Sequence, residues 1–306
     1  MVDPKITVII PTYNRWPYVC QAIDSVLKQS YLNTECLVVD DASTDGSYEK
    51  LRNKYGERIV LLRNEENKER SYSRNRGVIE CNADFICFLD SDDILTQYSI
   101  EQRLNVFFED RLFPGVSFGI NLKVGAKKQY AKSYLKIKKK YETLEVDEFL
   151  SDPGWAHINS LMITRSNMLH HGMFNEELVN REDNELIIRL LCKMEFRFCG
   201  LIVSKMREID KIRSRYAFEK IVEQGTKFSE ALKKNSIVSQ RLGSMIRELE
   251  IKENAEILRA YYYSGRYLEY RTQFQKAAEN KLLSNTFKFY KRYFLSYIKE
   301  ALQKVF

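Results

Sequence analysis

Residues 85–95 read FICFLDSDDIL, an apolar run that drops Asp90, Ser91, Asp92 and Asp93 before turning apolar again. Carboxylates placed this close beside a core repel one another and lose hydration, so a cation or a set of hydrogen bonds must hold them. One reading is an acidic turn capping the next helix, because Asp is a favoured N-cap and sits well at the positive end of the helix dipole. The other is a ligand site at the end of a buried strand. The surrounding sequence decides between them.

Four short runs, Ile6 to Ile10, Cys36 to Val39, Ile59 to Leu62 and Phe85 to Leu89, are continuously apolar and bounded by polar or turn residues, the pattern of buried strands. Between the first two, Val19, Ala22, Ile23, Val26 and Leu27 fall on one face of a helix predicted from Tyr18 to Gln29. The turn STDGS (43–47) leads into a second helix from Tyr48 to Lys54, and Ser71 to Glu80 forms a third crossover. Strands alternating with helices predict an α/β fold with a Rossmann-like, mainly parallel sheet covered on both faces. In such sheets ligands bind outside the carboxyl ends of the strands. PTYN (11–14), DDAST (40–44) and DSDD (90–93) therefore share one edge, and Tyr13, Asp40, Asp41 and the acidic cluster should converge there.

The glycine-rich signatures of other nucleotide folds are missing: no GxGxxG follows the first strand and no GxxxxGK[ST] occurs. A cleft that takes a diphosphate without such a loop needs another source of positive charge. Magnesium or a similar divalent ion held by Asp90, Asp92 and Asp93 supplies it, bound through one or two carboxylates plus substrate phosphates.

With 306 residues, of which 44% are hydrophobic and 30% charged, the chain can bury one large core and a smaller second one. No run of eighteen apolar residues occurs, and the N-terminal apolar stretch is too short and wrongly flanked for a signal peptide, which predicts a cytoplasmic protein. The six cysteines are scattered through apolar segments without a CxxC pair, as reduced core thiols would be. Of the net charge of +7, all the excess lies beyond residue 216, where 17 Lys and Arg face 10 Asp and Glu. No zinc-finger, helix-turn-helix or RNP pattern accompanies that excess, so a nucleic-acid partner is not expected.

Four ordered motifs, ITVIIPTYNR, CLVVDDASTDGS, SRNRGVIECNADFICFLDSDD and HGMFNEELVNREDNELIIRL, resemble the inverting family 2 glycosyltransferases with the GT-A fold, over about residues 4–215. The resemblance implies a nucleotide-sugar donor, with uridine diphosphate the expected nucleotide, and a glycan or lipid-linked glycan acceptor in surface polysaccharide synthesis. It places Thr12, Tyr13 and Asp41 at the nucleotide, with Arg74 and Ser91 counted in the same set, and Asp90, Asp92 and Asp93 at Mg²⁺ or Mn²⁺. It matches Glu182 and Asp183 to the pair that ends the acceptor-side motif. In a single displacement the base must stand across the sugar from the metal, and a carboxylate at a helix N-terminus stays ionised for that task; Asp183 is the expected base, with Glu182 the alternative. By themselves the two acids would read as the first turn of a helix running to Lys193.

The chain departs from the family pattern in the loop NKERSYSRN, which lacks the usual glycines, and after His171, beyond which no histidine follows. Arg213 and Arg215 are offered instead, as a diphosphate flap or as part of a surface charge run, and Trp155 and His157 fall where sugar contacts occur in relatives. Arg76 competes with Arg74 for a phosphate contact. A sugar nucleotidyltransferase would be expected to carry a glycine- and arginine-rich loop where this chain has PTYNR; a non-catalytic carbohydrate-binding protein is the other alternative.

From residue 217 to 306 the pattern turns helical, so the expected organisation is a catalytic domain over 1–216 and a helical C-terminal extension. Near its end Tyr290, Tyr293, Phe294, Tyr297, Ile298, Ala301 and Leu302 share one helical face, and Lys288, Lys291, Arg292 and Lys299 lie on the other. Such a helix can lie on an anionic membrane, here the inner face of the cell membrane, or dock on the catalytic domain or a second copy of the chain.

Overall fold

The structure, a computed structural model, describes residues 3–109, 113–124, 139–207, 218–283 and 287–303. The chain divides into two compact units, Met1–Ile209 and Asp210–Phe306. The expected domain boundary after residue 216, and with it Arg213 and Arg215, lies outside the described residues.

The first unit is built on an eight-stranded sheet whose order among the described residues is β3 (Val60–Arg63), β2 (Thr34–Asp40), β1 (Ile6–Thr12), β4 (Phe85–Phe88), β7 (Leu161–Thr164), β6 (Val116–Val124), β8 (Phe196–Arg207) and β5 (Ile94–Leu95). Its apolar runs form β1 (Ile6–Thr12), β2 (Thr34–Asp40), β3 (Val60–Arg63) and β4 (Phe85–Phe88), all parallel. The helices between them are α1 (Tyr18–Leu27), α2 (Ser47–Tyr55) and α3 (Glu69–Glu80). The predicted crossovers are thus present within a few residues of their expected ends. α3 lies so close to β1 that a Cβ on Gly77 would stand 2.5 Å from a methyl carbon of Ile9, which only glycine avoids.

The other half of the sheet is mixed. β5 (Ile94–Leu95) and α4 (Ser99–Glu109) follow the acidic turn, then β6 (Val116–Val124), α5 (Val146–Ser151), β7 (Leu161–Thr164), α6 (Arg165–His170), α7 (Glu182–Leu191) and β8 (Phe196–Arg207). β7 runs antiparallel to both β4 and β6, and β5 runs antiparallel to β8. Entering the sheet in the opposite sense, β7 begins beside the carboxyl end of β4 and so delivers residues 157–160 to the acidic turn.

The second unit is helical: α8 (Phe218–Gln224), α9 (Lys227–Lys234), α10 (Ser236–Leu242), α11 (Met245–Tyr263), α12 (Tyr267–Glu279) and α13 (Phe287–Gln303). Asn235 caps α10 by accepting from the Val238 N–H at 3.2 Å. Leu258, Tyr262, Tyr270, Phe274 and Phe289 form the core where α11, α12 and α13 meet. The Tyr270 hydroxyl reaches the Phe289 carbonyl at 2.9 Å, so the polar tip of this buried ring is satisfied.

In α13 the sequence reading of the two faces needs correction. Arg292, assigned to the basic outer side, is buried, with its guanidinium over the rings of Tyr262 and Tyr263 and one amine on the Tyr263 hydroxyl at 2.6 Å. Phe289, Arg292 and Ser296 face inward, and Tyr293 is half-buried. Tyr290, Phe294, Tyr297 and Ile298 remain exposed, the last three by half or more of their surface. Aromatic rings line both sides of the helix, and it is the buried arginine that finds partners only inside.

Candidate active site

The carboxyl ends of β1, β2 and β4 carry three loops that are tied together. Asn14 donates its backbone N–H to Ser43 Oγ at 2.9 Å, and its side-chain oxygen accepts from the N–H groups of Thr44 and Asp45 at 2.8 and 3.2 Å. Tyr13 is held between these anchors with 43% of its surface exposed, free to present its ring to a planar base. Thr12 is buried, its hydroxyl makes no hydrogen bond, and its carbonyl accepts from the Asp41 N–H. Asp41 is also buried, and Asn64 Nδ2 and the Lys68 N–H both donate to its Oδ1, at 2.6 and 3.0 Å. Its Oδ2 takes part in neither contact.

The acidic stretch forms a tight turn in which the Asp93 N–H donates to the Asp90 carbonyl at 3.0 Å, with Ser91 and Asp92 at the bend, both buried. One residue clamps it. Asn159, fully buried in the 3-10 turn Ile158–Ser160, accepts from the Asp90 N–H at 2.9 Å and donates to Asp93 Oδ2 at 2.8 Å. Asp93 Oδ1 accepts from the Arg207 N–H at 2.9 Å, and the Arg207 guanidinium donates to the Asp92 carbonyl. Beneath Asn159, fully buried Arg103 of α4 donates to the Leu161 carbonyl and to Ser99, each at 2.8 Å. Asn159, Arg103 and Arg207 were not singled out from the sequence. Their contacts with Asp90, Asp92, Asp93 and Leu161 span 58–115 residues of chain, and the local signal was the proximity of Asn159 to His157.

Arg74 joins the two halves of the site. Its side chain is 2% accessible, one amine lies 2.7 Å from Asp90 Oδ1, another 3.2 Å from Glu182 Oε1, and the guanidinium sits over the Phe174 ring at 5.0 Å. Its neighbour Asn75 donates to the Phe174 carbonyl at 3.0 Å and accepts from the Phe174 N–H at 2.9 Å. The SRN segment therefore locks the segment from Phe174 to Glu182 against the acidic turn. Arg76, the other phosphate candidate, donates instead to the Arg63 carbonyl and to Asn64.

These contacts separate the acids electrostatically. Burial pushes the Asp90 carboxyl up, but the Arg74 guanidinium above all outweighs it and holds Asp90 at about 2. Burial raises Glu182, Arg70 and Arg74 oppose that rise, and adjacent Asp183 adds to it. Glu182 is closed off, with Oε1 3.4 Å from Arg70 and 3.2 Å from Arg74. Asp183 is about one quarter accessible, its Oδ1 accepts from the Asn184 N–H at 2.9 Å, and its Oδ2 lies 3.7 Å from His157 Nε2. Buried Arg189 and Glu185 pair at 2.8 Å, and Arg189 also reaches the carbonyls of His171 and Met173, which fixes α7 and with it the Glu182–Asp183 turn.

Carboxylate oxygens of Asp90, Asp92 and Asp93 come within 4.8 Å of one another. All are hard oxygen donors, the set that suits Mg²⁺ or Mn²⁺.

An α/β sheet that presents a strand-end acidic DSDD turn beside an exposed tyrosine, opposite a second carboxylate at a helix start, has the architecture of the GT-A glycosyltransferases. The chain belongs to glycosyl transferase family 2, whose model matches residues 7–164. It is similar to a UDP-Glc:alpha-D-GlcNAc-diphosphoundecaprenol beta-1,3-glucosyltransferase of Escherichia coli, 37% identical over 112 residues, which are 37% of this chain and 44% of that protein. A Streptococcus pneumoniae glycosyltransferase, GlyA, is 31% identical over 172 residues, 52% of this chain and 25% of its own length. The alignments thus span less than half the length of these curated relatives. The solved structure of S. aureus TarS 1-349 in complex with UDP superposes with a TM-score of 0.64 at 16% identity, over 99% of this chain and 92% of that one, a likeness of fold.

Proposed function

We propose that the protein transfers a sugar, with inversion, from a uridine diphosphate donor to a glycan or lipid-linked glycan in surface polysaccharide synthesis. The observation that carries this reading is the Arg74 bridge, which brings the metal-type carboxylates and the Glu182–Asp183 turn into one cleft. Asp90 and Asp92 would hold Mg²⁺ or Mn²⁺ with Asp93 beside them as the third acid, and the Asp93 carboxylate also anchors the turn by accepting from Asn159 and from the Arg207 N–H. When bound, the ion supplies positive charge to the diphosphate leaving group. Tyr13 stacks on the base and Asp41 accepts from it, while Thr12 and Ser91 shape the floor by backbone and burial. Arg74 serves the donor through Asp90, since its amines are already engaged by two carboxylates.

Asp183 takes the proton of the acceptor hydroxyl as that oxygen bonds to the anomeric carbon and the bond to the diphosphate breaks. Its accessibility favours it over Glu182, which is enclosed by two arginines. Uncovered oxygen and reach decide the role of a general base before its titration does. The UDP and the diphosphoundecaprenol acceptor in the names of the relatives support the substrate classes.

The helical unit brings the enzyme to a membrane. Among the described residues no helix is long and apolar enough to cross one. α13 instead exposes Tyr290, Phe294, Tyr297 and Ile298 with Lys291 and Lys299 alongside, which suits the surface of an anionic bilayer on the cytoplasmic side.

Thermal unfolding against a panel of nucleotide sugars tests the donor assignment. With Mn²⁺ one UDP-sugar should raise the midpoint, since a ligand at a hundred times its dissociation constant adds about 2.7 kcal/mol. EDTA, or Asp92→Asn, should remove that shift. A shift that survives both overturns the metal assignment, and absence of a shift with every UDP-sugar overturns the donor.

A further inference from the structure

His157 was noted in the sequence only as a residue near sugar contacts. The structure gives it a more specific place. The Asn159 N–H donates to His157 Nδ1 at 3.3 Å, so the neutral ring carries its proton on Nε2. That Nε2 faces Asp183 Oδ2 at 3.7 Å, while the other oxygen of Asp183 is held by the Asn184 N–H. Asn159 is the same residue that clamps Asp90 and Asp93. Hydrogen bonds therefore link the acidic turn through Asn159 to His157, whose Nε2 faces Asp183, by a route separate from the Arg74–Glu182 contact.

We propose that His157 is a positioning residue for Asp183: its Nε2–H fixes the carboxylate plane so that the remaining lone pairs point at the acceptor hydroxyl. The proposal rests on Asp183 being the general base. At 3.7 Å the contact is longer than a hydrogen bond, and contacts of this kind tighten when substrate closes the site. Because Asn159 links the ring to the donor-side acids, the base is set in register with the donor rather than with α7 alone. Misplacing a reacting group by about 1 Å can cost up to about a hundredfold in rate.

Turnover is read as UDP release from UDP-N-acetylglucosamine or UDP-glucose with Mn²⁺, water standing in for the acceptor. Asn at position 157 keeps an acceptor for the Asn159 N–H but has nothing at Nε2, whereas Gln reaches the Nε2 position with an N–H. His157→Asn and His157→Ala should both lower kcat about ten- to a hundredfold with the donor KM unchanged, and His157→Gln should restore most of the loss. In an Asp183→Asn background, His157→Asn should cost nothing further, because two residues acting through one step are not additive. Wild-type turnover in His157→Asn, or an undiminished effect in the Asp183→Asn background, overturns the proposal and leaves Asp183 standing. Full turnover in Asp183→Asn itself overturns the base assignment instead.

A second readout needs no turnover. The chain has three histidines, so the imidazole nitrogen resonances of His157 can be assigned by comparison with His157→Gln. A proton on Nε2 is expected, and a proton on Nδ1 overturns the proposal.

Discussion

The two units of this chain differ in what surrounds most of their buried charge. In the first, buried arginines meet carboxylates and carbonyls contributed by distant segments: Arg74 spans Asp90 and Glu182, Arg189 pairs with Glu185, and Arg103 holds backbone carbonyls. In the second, the buried Arg292 is wrapped by aromatic rings, while Arg271 lies 4.2 Å over Tyr297 and pairs with Glu300. The first arrangement fixes the acids in one geometry and costs desolvation energy. The second uses the faces of tyrosines as a diffuse counter-charge, which stabilises packing without demanding a single geometry. Precision in one unit and tolerance in the other follow from those two kinds of partner.

The sharpest break between the units should be catalytic. Asp183→Asn should lower turnover by about 10² to 10⁴, the usual worth of general-base assistance, with UDP-sugar binding retained. A change of similar chemical size in the helical unit, Glu300→Gln, should leave turnover of a soluble acceptor unaltered. Steady-state kinetics on both variants checks the pair, and a loss in Glu300→Gln would show that the helical unit contributes to the site.

Stability should separate them next. Arg74→Met leaves buried Glu182 and half-buried Asp90 without their shared cation, and removing one partner of a buried ion pair costs about 3–5 kcal/mol. Urea unfolding of that variant should show the loss. Acid should reproduce part of it in the wild type: Asp90 is depressed to about 2, so its stabilising contribution is complete above the ordinary carboxylate range and disappears as pH falls toward 2.

In the helical unit the comparable lesion is apolar. Leu258→Ala removes a buried side chain from the core between α11, α12 and α13 and should cost about 2–5 kcal/mol. Unfolding followed at two wavelengths should assign the loss to that unit, with the donor-induced shift of the first unit retained.

The smallest effect belongs to the exposed face of α13. Phe294→Ser with Ile298→Ser should change stability within about 0.5 kcal/mol, as surface substitutions do. It should nevertheless reduce sedimentation with anionic vesicles at low salt, where each nearby lysine contributes about 1 kcal/mol. Unchanged sedimentation removes the membrane role. A concentration-dependent mass that falls in the variant would instead assign the face to a second copy of the chain.

The sequence by itself determined the first four strands, their crossovers and the edge at which the loops meet, because burial on both faces makes each strand a continuous apolar run and each helix a periodic one. The acidic turn was legible because it stands where an apolar strand ends, whereas the Glu182–Asp183 pair by itself read as the first turn of a helix and was singled out only through the family resemblance. The tertiary structure alone decided what neutralises those acids. Arg74 read equally well as a phosphate contact, and its burial against Asp90 and Glu182 depends on a partner 108 residues away. Asn159, Arg103, Arg207 and the ring orientation of His157 are of the same kind. A hydrogen bond across such a separation leaves no period in the sequence, and a polar residue carries the same local signal whether it meets water, a ligand or another buried charge.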